Sequence, residues 1–385
     1  MRAWLLAVLA APLLAGVALA DAPRARDLGI PFDGTPGPLN AITDVAGVTV
    51  GHVTLIDASD PKHQVRTGVT AILPRGADSN NSPAFGASFA LNGNGEMTGT
   101  AWLEESGMLE GPVLLTNTHS VGVVRDAAIA WRVHSGQPDA SGYWWSLPVV
   151  AETWDGYLND INGFHVRPEH VAAALDGARG GAVAEGNVGG GTGMICHEFK
   201  GGIGTSSRRV TVGGQLYTVG VLVQANYGRR DTLRIAGVPV GQYLRKHRVE
   251  SEDGDRPEAG SIVIVVATDA PLLPHQMKRL ARRAALGLAR NGSYAGNGSG
   301  DLFVAFSTAN REALRGLTLN AAQFIGNDAI DPLFLGTVEA TEEAIVNALV
   351  AARDMAGQDG HYVLAIPHQP LRDVLQRFNR LNPAR

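Results

Sequence analysis

Along this chain, short apolar runs bounded by glycine and polar residues alternate with longer stretches whose apolar positions recur every three or four residues. Val48 to Leu55 (VTVGHVTL) and Gly68 to Leu73 (GVTAIL) predict early strands, and Pro112 to Leu115 (PVLL) predicts another. Asn117 to Ser120 offers amide and hydroxyl caps for a helix from about Val121 to Val133. Pro168 suits the first turn of an apolar helix to Leu175, with Gly177 beyond its end. Thr218 to Gln224 (TVGVLVQ) predicts a buried strand. Met277, Leu280, Ala281, Ala284, Ala285 and Leu288 form one stripe opposite basic residues, which predicts a helix over Pro274 to Arg290 closed by Gly292. Leu302 to Phe306 (LFVAF) is expected to be a strand. Thr341 is expected to cap a helix through about Met355, and Tyr362 to Ile366 to form a last strand. Strands with helices before and after them predict two stacked sheets between helical layers. No internal repeat is present, and the one long linker falls at 245–259.

Composition narrows this picture. At 385 residues and 45% hydrophobic, the chain can bury one large core or two moderate ones. A net charge of −5, with no basic cluster carrying interleaved aromatics, argues against a nucleic-acid surface. The 48 glycines lack a three-residue period and cluster between apolar runs, as tight turns in a layered protein require. Arg2 precedes an uncharged stretch to Ala20, and Ala18-Leu19-Ala20 offers a small-x-small cleavage pattern before Asp21. Pro12, Gly16 and the lack of a stop-transfer flank favour removal of residues 1–20 over a retained anchor. The mature protein is therefore expected to be periplasmic or secreted, with no membrane contact once the leader is gone. Cys196 has no possible disulfide partner within the chain and is expected to be a buried structural thiol rather than half of a pair with His197.

One junction carries candidate chemistry. The charged stretch from Arg245 to Glu258 (RKHRVESEDGDRPE) ends in Ala-Gly, and Ser261 then opens the apolar run Ile262 to Ala267 (IVIVVA). A solvated loop lets a chain distort and separate, while a buried strand would hold a new amino-terminal serine rigidly. Gly260 can take backbone angles that residues with a Cβ resist. The same dipeptide is also ordinary turn chemistry. Other polar residues stand at the ends of predicted strands: Asn226 after TVGVLVQA, and Ser299 and Asp301 before LFVAF. Tyr157 lies in the aromatic and acidic segment from Glu152 to Asp160. Familiar signatures fail. Gly189 to Gly193 has Met194 where a dinucleotide loop needs its third glycine, and no glycine cluster leads into Gly-Lys-Ser/Thr. His197-Glu198 meets Gly201 where a zinc-protease pattern needs its second histidine. No metal or other cofactor is implied.

Four segments together resemble the L-aminopeptidase D-alanyl-esterase/amidase family, which includes the β-peptidyl aminopeptidases. They are Pro38 to Val48 (PLNAITDVAGV), Gly191 to Met194 running into Phe199 to Arg208 (FKGGIGTSSR), the Gly260-Ser261 junction, and Gly298 to Asp301 (GSGD). The resemblance spans about residues 28 to 378. It implies an αββα four-layer sandwich like that of amino-terminal nucleophile hydrolases but with different connectivity. It also implies self-cleavage into 21–260 and 261–385, and relatives that assemble as tetramers of the cleaved pair. By motif, Ser261 would be the nucleophile freed by cleavage after Gly260, and Asn226 and Tyr157 would face the acyl carbonyl. Ser299 and Asp301 would be the hydroxyl and acid beside the nucleophile. Some relatives carry Glu where Asp301 stands, so the shorter side chain changes the reach of a proton relay. Asp155, or in second place Glu152, would hold the substrate ammonium.

That chemistry is coherent by itself. A serine hydroxyl needs a base to become nucleophilic. An amino-terminal serine brings one, because an α-amine titrates at about 7.7–8.0. Ser299 linked to Asp301 is the competing base, and both readings stay open at this level. The leading expectation is an exported, self-processing serine aminopeptidase acting on short peptides, amides and esters with a free N-terminus. An acyltransferase of the ornithine acetyltransferase type is one alternative, although those use threonine where this chain has Ser261. A non-catalytic solute-binding protein is the other.

Overall fold

The computed structural model describes residues 23–138, 141–245, 260–314 and 319–382. The leader read at 1–20 and the charged linker after Arg245 lie outside them. In chain order the elements are β1 (Thr49–Asp57), β2 (Val65–Leu73), β3 (Ala84–Gly93), α1 (Thr100–Ser106), β4 (Met108–Leu109), β5 (Val113–Asn117), α2 (Val121–Ser135), β6 (Val149–Thr153) and α3 (Pro168–Asp176). There follow β7 (Ile195–Cys196), β8 (Phe199–Lys200), β9 (Gly202–Val212), β10 (Gln215–Asn226), β11 (Ser261–Thr268), α4 (Pro274–Arg290), β12 (Gly300–Ser307), α5 (Asp331–Ala351), β13 (Met355–Ala356), β14 (Tyr362–Val363) and α6 (His368–Arg377).

Two sheets form the centre, one ordered β1-β2-β5-β6 and the other β4-β3-β12-β11-β10-β9. Strand periodicity sorts the side chains into three apolar layers. On β11, Val263, Val265 and Ala267 join Ile72, Val113, Leu115, Val149 and Ala151 of the smaller sheet in the layer between the sheets. Ile262, Ile264 and Val266 face the other way, against Leu280, Ala284 and Leu288 of α4 and Ile345 and Leu349 of α5. The outer face of the smaller sheet, with Val69, Ala71 and Leu114, packs on Val124 and Ala128 of α2 and Val171 and Leu175 of α3. Helix, sheet, sheet, helix is the αββα sandwich expected above. A glycine permits the close seating of α5 on β9. At Gly204 a Cβ would lie 2.0 Å from the Ala344 carbonyl oxygen, so α5 could not seat there against any larger residue.

Two elements differ from the expectation. Helix α5 begins at Asp331-Pro332, ten residues before Thr341, and ends at Ala351. Thr341 lies within the helix, where its hydroxyl donates to the Thr337 carbonyl rather than capping a terminus. The last strand is only Tyr362–Val363, paired with Met355–Ala356, because its partner β13 is equally short.

A buried charge cluster ties α5 to the segment before β1 and to β9. Glu343, whose side chain is fully buried, accepts from Arg26 at 2.7 and 2.8 Å and from Asn40 at 2.6 Å, and pairs with Arg208 at 2.8 Å. Burial raises its carboxyl pKa, but the Arg26 and Arg208 guanidinium groups outweigh burial and hold it below the usual value. We predict that Glu343→Leu loses about 3–5 kcal/mol of stability at neutral pH, since the buried Arg208 guanidinium and the part-exposed Arg26 lose a shared counter-charge. Urea unfolding measures this. A depressed carboxyl stabilises the fold above its unfolded pKa, so the gap between wild type and variant should narrow as pH falls through the carboxylate range.

Candidate active site

The end of β10, the starts of β11 and β12 and the end of β3 lie side by side in the larger sheet, and the chain places polar residues there. Asn226 closes β10 and Ser261 opens β11, and the two lie directly opposite each other in the antiparallel ladder. Opposed residues project from the same side of a sheet. That side is the layer between the sheets, set by Leu222 on β10 and Val263 on β11. On its other flank Ser261 is level with Gly300, the first residue of the parallel strand β12. A Cβ at Gly300 would lie 3.0 Å from Ser261 Oγ and 2.3 Å from the Asn94 carbonyl oxygen, so only glycine leaves the space beside the hydroxyl open. Gly260 is similarly confined, its Cβ position falling 2.4 Å from the Asn226 carbonyl oxygen. The Gly260 carbonyl accepts from the Gly300 N–H at 2.9 Å, which pins the peptide just before the serine.

Ser299 and Asp301 flank Gly300. Both are fully buried, and the Ser299 hydroxyl donates to Asp301 Oδ1 at 2.8 Å. The shorter acid therefore reaches its serine. With its own proton committed to a carboxylate, the Ser299 oxygen can accept a proton from a neighbour.

Asn226 is held at both ends of its amide. Oδ1 accepts from the Ile195 N–H at 2.8 Å, and Nδ2 donates to the Trp154 carbonyl at 2.9 Å. These two partners distinguish the amide oxygen from the nitrogen without ambiguity. Trp154 was not among the residues singled out from sequence. Its contribution here is a backbone carbonyl, for which residue type gives no signal. Tyr157 stacks its ring on His361 with centroids 3.9 Å apart and belongs to a satellite cluster with Leu158, Met355, Val363 and Ile195. Ile195, packed on the same cluster, is the residue whose N–H bonds Asn226 Oδ1.

The two candidate carboxylates have different surroundings. Asp155 is 1% exposed and sits in a cage: Asn117 Nδ2 contacts its oxygens at 3.2 and 3.0 Å, and Asn159 Nδ2 donates at 3.1 Å. Burial pushes its carboxyl up to about 6 despite hydrogen bonds from Thr67, Asn117 and Asn159. Glu152 is also buried, at 3% exposed. Its Oε1 accepts from the Glu96 N–H at 2.9 Å and its Oε2 from the Thr118 hydroxyl. A Cβ on Gly95 would touch both Glu152 Oε1, at 3.2 Å, and the Gly300 Cα, at 3.5 Å, so the carboxylate and the strand end beside Ser261 border one small gap. Burial also raises Glu152, against the Thr118 and Glu96 hydrogen bonds. Both carboxylates accept hydrogen bonds from the protein, and it is Glu152 that borders the gap beside Gly300.

Gly189 to Gly193 is a packing element of the core. It wedges between the sheets, with the Cβ position of Gly190 2.2 Å from Gln224 Oε1 and that of Gly191 2.5 Å from the Ile203 nitrogen. Cys196 is buried in the core. Among the described residues, no three His, Cys, Asp or Glu side chains gather as metal ligands would.

The profile of peptidase family S58 matches residues 40–363. The β-peptidyl aminopeptidase BapA of Sphingosinicella microcystinivorans is 52% identical over 394 residues, covering 98% of each chain. Two solved structures superpose on nearly the whole chain. One is the L-aminopeptidase D-Ala-esterase/amidase of Ochrobactrum anthropi, described as a prototype serine aminopeptidase with a variant of the Ntn hydrolase fold. Its TM-score is 0.88 at 50% identity, covering 93% of this chain and 99% of that one. The other is a β-aminopeptidase of a Burkholderia species, with TM-score 0.84 at 51% identity, covering 92% and 99%.

Proposed function

The chain belongs to peptidase family S58 and is a serine-type aminopeptidase, and from that premise we propose that Ser261 is its nucleophile, freed by self-cleavage of the Gly260–Ser261 bond. The observation that carries this reading is the position of Ser261. It begins a buried strand, level with Asn226 on one side and Gly300 on the other, with the Ser299–Asp301 pair adjoining. No other serine among the proposed site residues combines a strand start with both neighbours.

In this reading Ser261 Oγ attacks the substrate acyl carbon, and its proton passes to the Ser261 α-amine or through Ser299, whose own proton rests on Asp301. Asn226 Nδ2 has one hydrogen on the Trp154 carbonyl and turns its second toward the oxyanion. The leaving amine or alcohol takes the proton, and water then releases the acid from Ser261. Glu152 holds the substrate ammonium. Carboxylate at that site selects a free N-terminus and makes the activity exo rather than endo. The family assignment sets aside the acyltransferase and solute-binding alternatives. Short peptides, amides and esters are the proposed substrates, and the relatives named above make β-aminoacyl as well as L-α-aminoacyl groups the ones to try. Export after removal of residues 1–20 completes the proposal.

Intact mass and N-terminal sequencing of the purified protein, beside a panel of α- and β-aminoacyl p-nitroanilides, test it. Two polypeptides are expected, 21–260 and 261–385, the second beginning Ser-Ile-Val-Ile. A fully active, uncut chain would end the mechanism. The carboxylate assignment has its own test. Glu152→Gln should lower kcat/KM by about 10²-fold, the order of one charge-assisted pair, and N-acetylated substrates should be poor for wild type and variant alike. Asp155→Asn should leave that selectivity in place and act on stability. The opposite pattern would return the ammonium to Asp155.

A further inference from the structure

Lys200 is a fully buried lysine that, among the described residues, has no carboxylate in salt-bridge contact, at the start of a segment that sequence singles out without a role. Its ammonium donates to three backbone carbonyls: Met194 at 2.6 Å, Gly201 at 2.9 Å and Gly191 at 3.3 Å. Burying an ammonium is costly, and an apolar side chain would fill the same space without that cost. Three donors matched to three acceptors at the base of a glycine wedge therefore need a reason. The Met194 carbonyl also accepts from the Gly201 N–H at 2.8 Å. The peptide that bears this carbonyl bears, on its other side, the Ile195 N–H, and that N–H is the donor to Asn226 Oδ1. A peptide group is planar, so fixing its oxygen fixes the direction of its N–H. An ammonium on the oxygen also strengthens the N–H as a donor.

We propose that Lys200 is a positioning residue for the acyl-carbonyl donor. Its ammonium locks the Met194–Ile195 peptide, the Ile195 N–H holds Asn226 Oδ1, and Asn226 Nδ2 is thereby turned toward the Ser261 hydroxyl and its acyl adduct. The inference rests on the reading of Asn226 as oxyanion donor, and goes beyond it by placing the control of that donor on the opposite side of a peptide. The Gly191-Thr192-Gly193-Met194 and Phe199-Lys200-Gly201 segments then act as one device. The glycines admit the wedge, and the lysine holds it.

The test is a double-mutant cycle on the processed enzyme, with rates expressed per liberated Ser261 amino terminus. Lys200→Met keeps the stem and removes all three donors. It should lower kcat about 10–100-fold with KM changed less than about threefold, while in an Asn226→Ala background the same substitution should cost less than about threefold. If Asn226→Ala alone leaves kcat intact, the donor assignment falls. If Asn226→Ala is costly but Lys200→Met adds its full effect on top, the positioning role falls and the donor stands. Lys200→Gln retains a neutral donor and should recover part of kcat relative to Lys200→Met. Should neither variant fold, the wild-type protein still decides. The groups facing the ammonium are the Cys196 thiol and the Asp155 carboxylate, and burial lowers the lysine to about 7 against both. The side-chain amide resonances of Asn226 should then shift with the midpoint read from the Lys200 Nζ signal. Amide resonances that stay still while the lysine titrates would overturn the proposal.

Discussion

Ser261→Ala is expected to leave one uncut polypeptide and to lower kcat by about 10⁵–10⁶-fold, the scale seen when the nucleophile of a serine hydrolase is removed. Two losses coincide because one hydroxyl performs both reactions. It first attacks the Gly260 carbonyl, which the Gly300 N–H already holds, and later the substrate. Unfolding would be the competing explanation for lost activity, and the topology argues against it. β11 and β12 lie between β10 and β3 in the larger sheet, so strands from before the junction flank them on both sides. Ser261 faces the space beside Gly300, and an alanine there removes an oxygen without adding volume. The variant should unfold within about 1 kcal/mol of wild type. A variant that is cut at residue 261, or that turns over substrate at a tenth of the normal rate, would remove Ser261 from the mechanism.

The segment after the junction was largely readable because its strands are buried on both faces. IVIVVA and LFVAF are nearly continuous apolar runs, and the α4 stripe is regular. β9 escaped notice for a physical reason. Its Thr205, Ser206, Ser207 and Arg208 are buried, with polar atoms satisfied by distant partners such as the Val221 and Ala340 carbonyls and the Glu343 carboxylate. Hydropathy sees a polar loop where the fold has an interior strand. In the first half of α5, Gly336, Thr337 and Glu339 break the apolar pattern, and Glu339 meets Arg208 of that network.

The site divides in the same way. Asn226, Ser261 and Asp301 stand at strand ends, just after Ser299, and a two-residue period sends Asn226 and Ser261 between the sheets and Asp301, level with Ile262, toward the helix side. Glu152 and Asp155 lie three residues apart, with the end of β6 between them. Which one reaches the serine depends on the path of residues 93–97 and on the amides of Asn117 and Asn159, none of which residue spacing encodes. Trp154 and Ile195 act through main-chain atoms, so their roles become visible only when the chain is folded.

Asn226 carries the second large effect, and the kinetic parameter it changes is the informative part. Asn226→Ala should lower kcat by about 10²–10³-fold with KM within about threefold of wild type, as for loss of one oxyanion donor. A donor aimed at the acyl oxygen gains most as that oxygen becomes negative, so it is felt in the transition state and scarcely in the bound ester. Asn226→Asp sharpens the point. Its carboxylate could still accept from the Ile195 N–H, but it would bring negative charge against the Trp154 carbonyl and the forming oxyanion. It should be at least as slow as the alanine variant, and its buried charge should also lower stability. Steady-state kinetics on an ester and an anilide, with unfolding curves for each variant, measure both expectations. A rise in KM at unchanged kcat would make Asn226 an anchor for bound substrate, and the oxyanion would then need a donor from elsewhere at the strand ends.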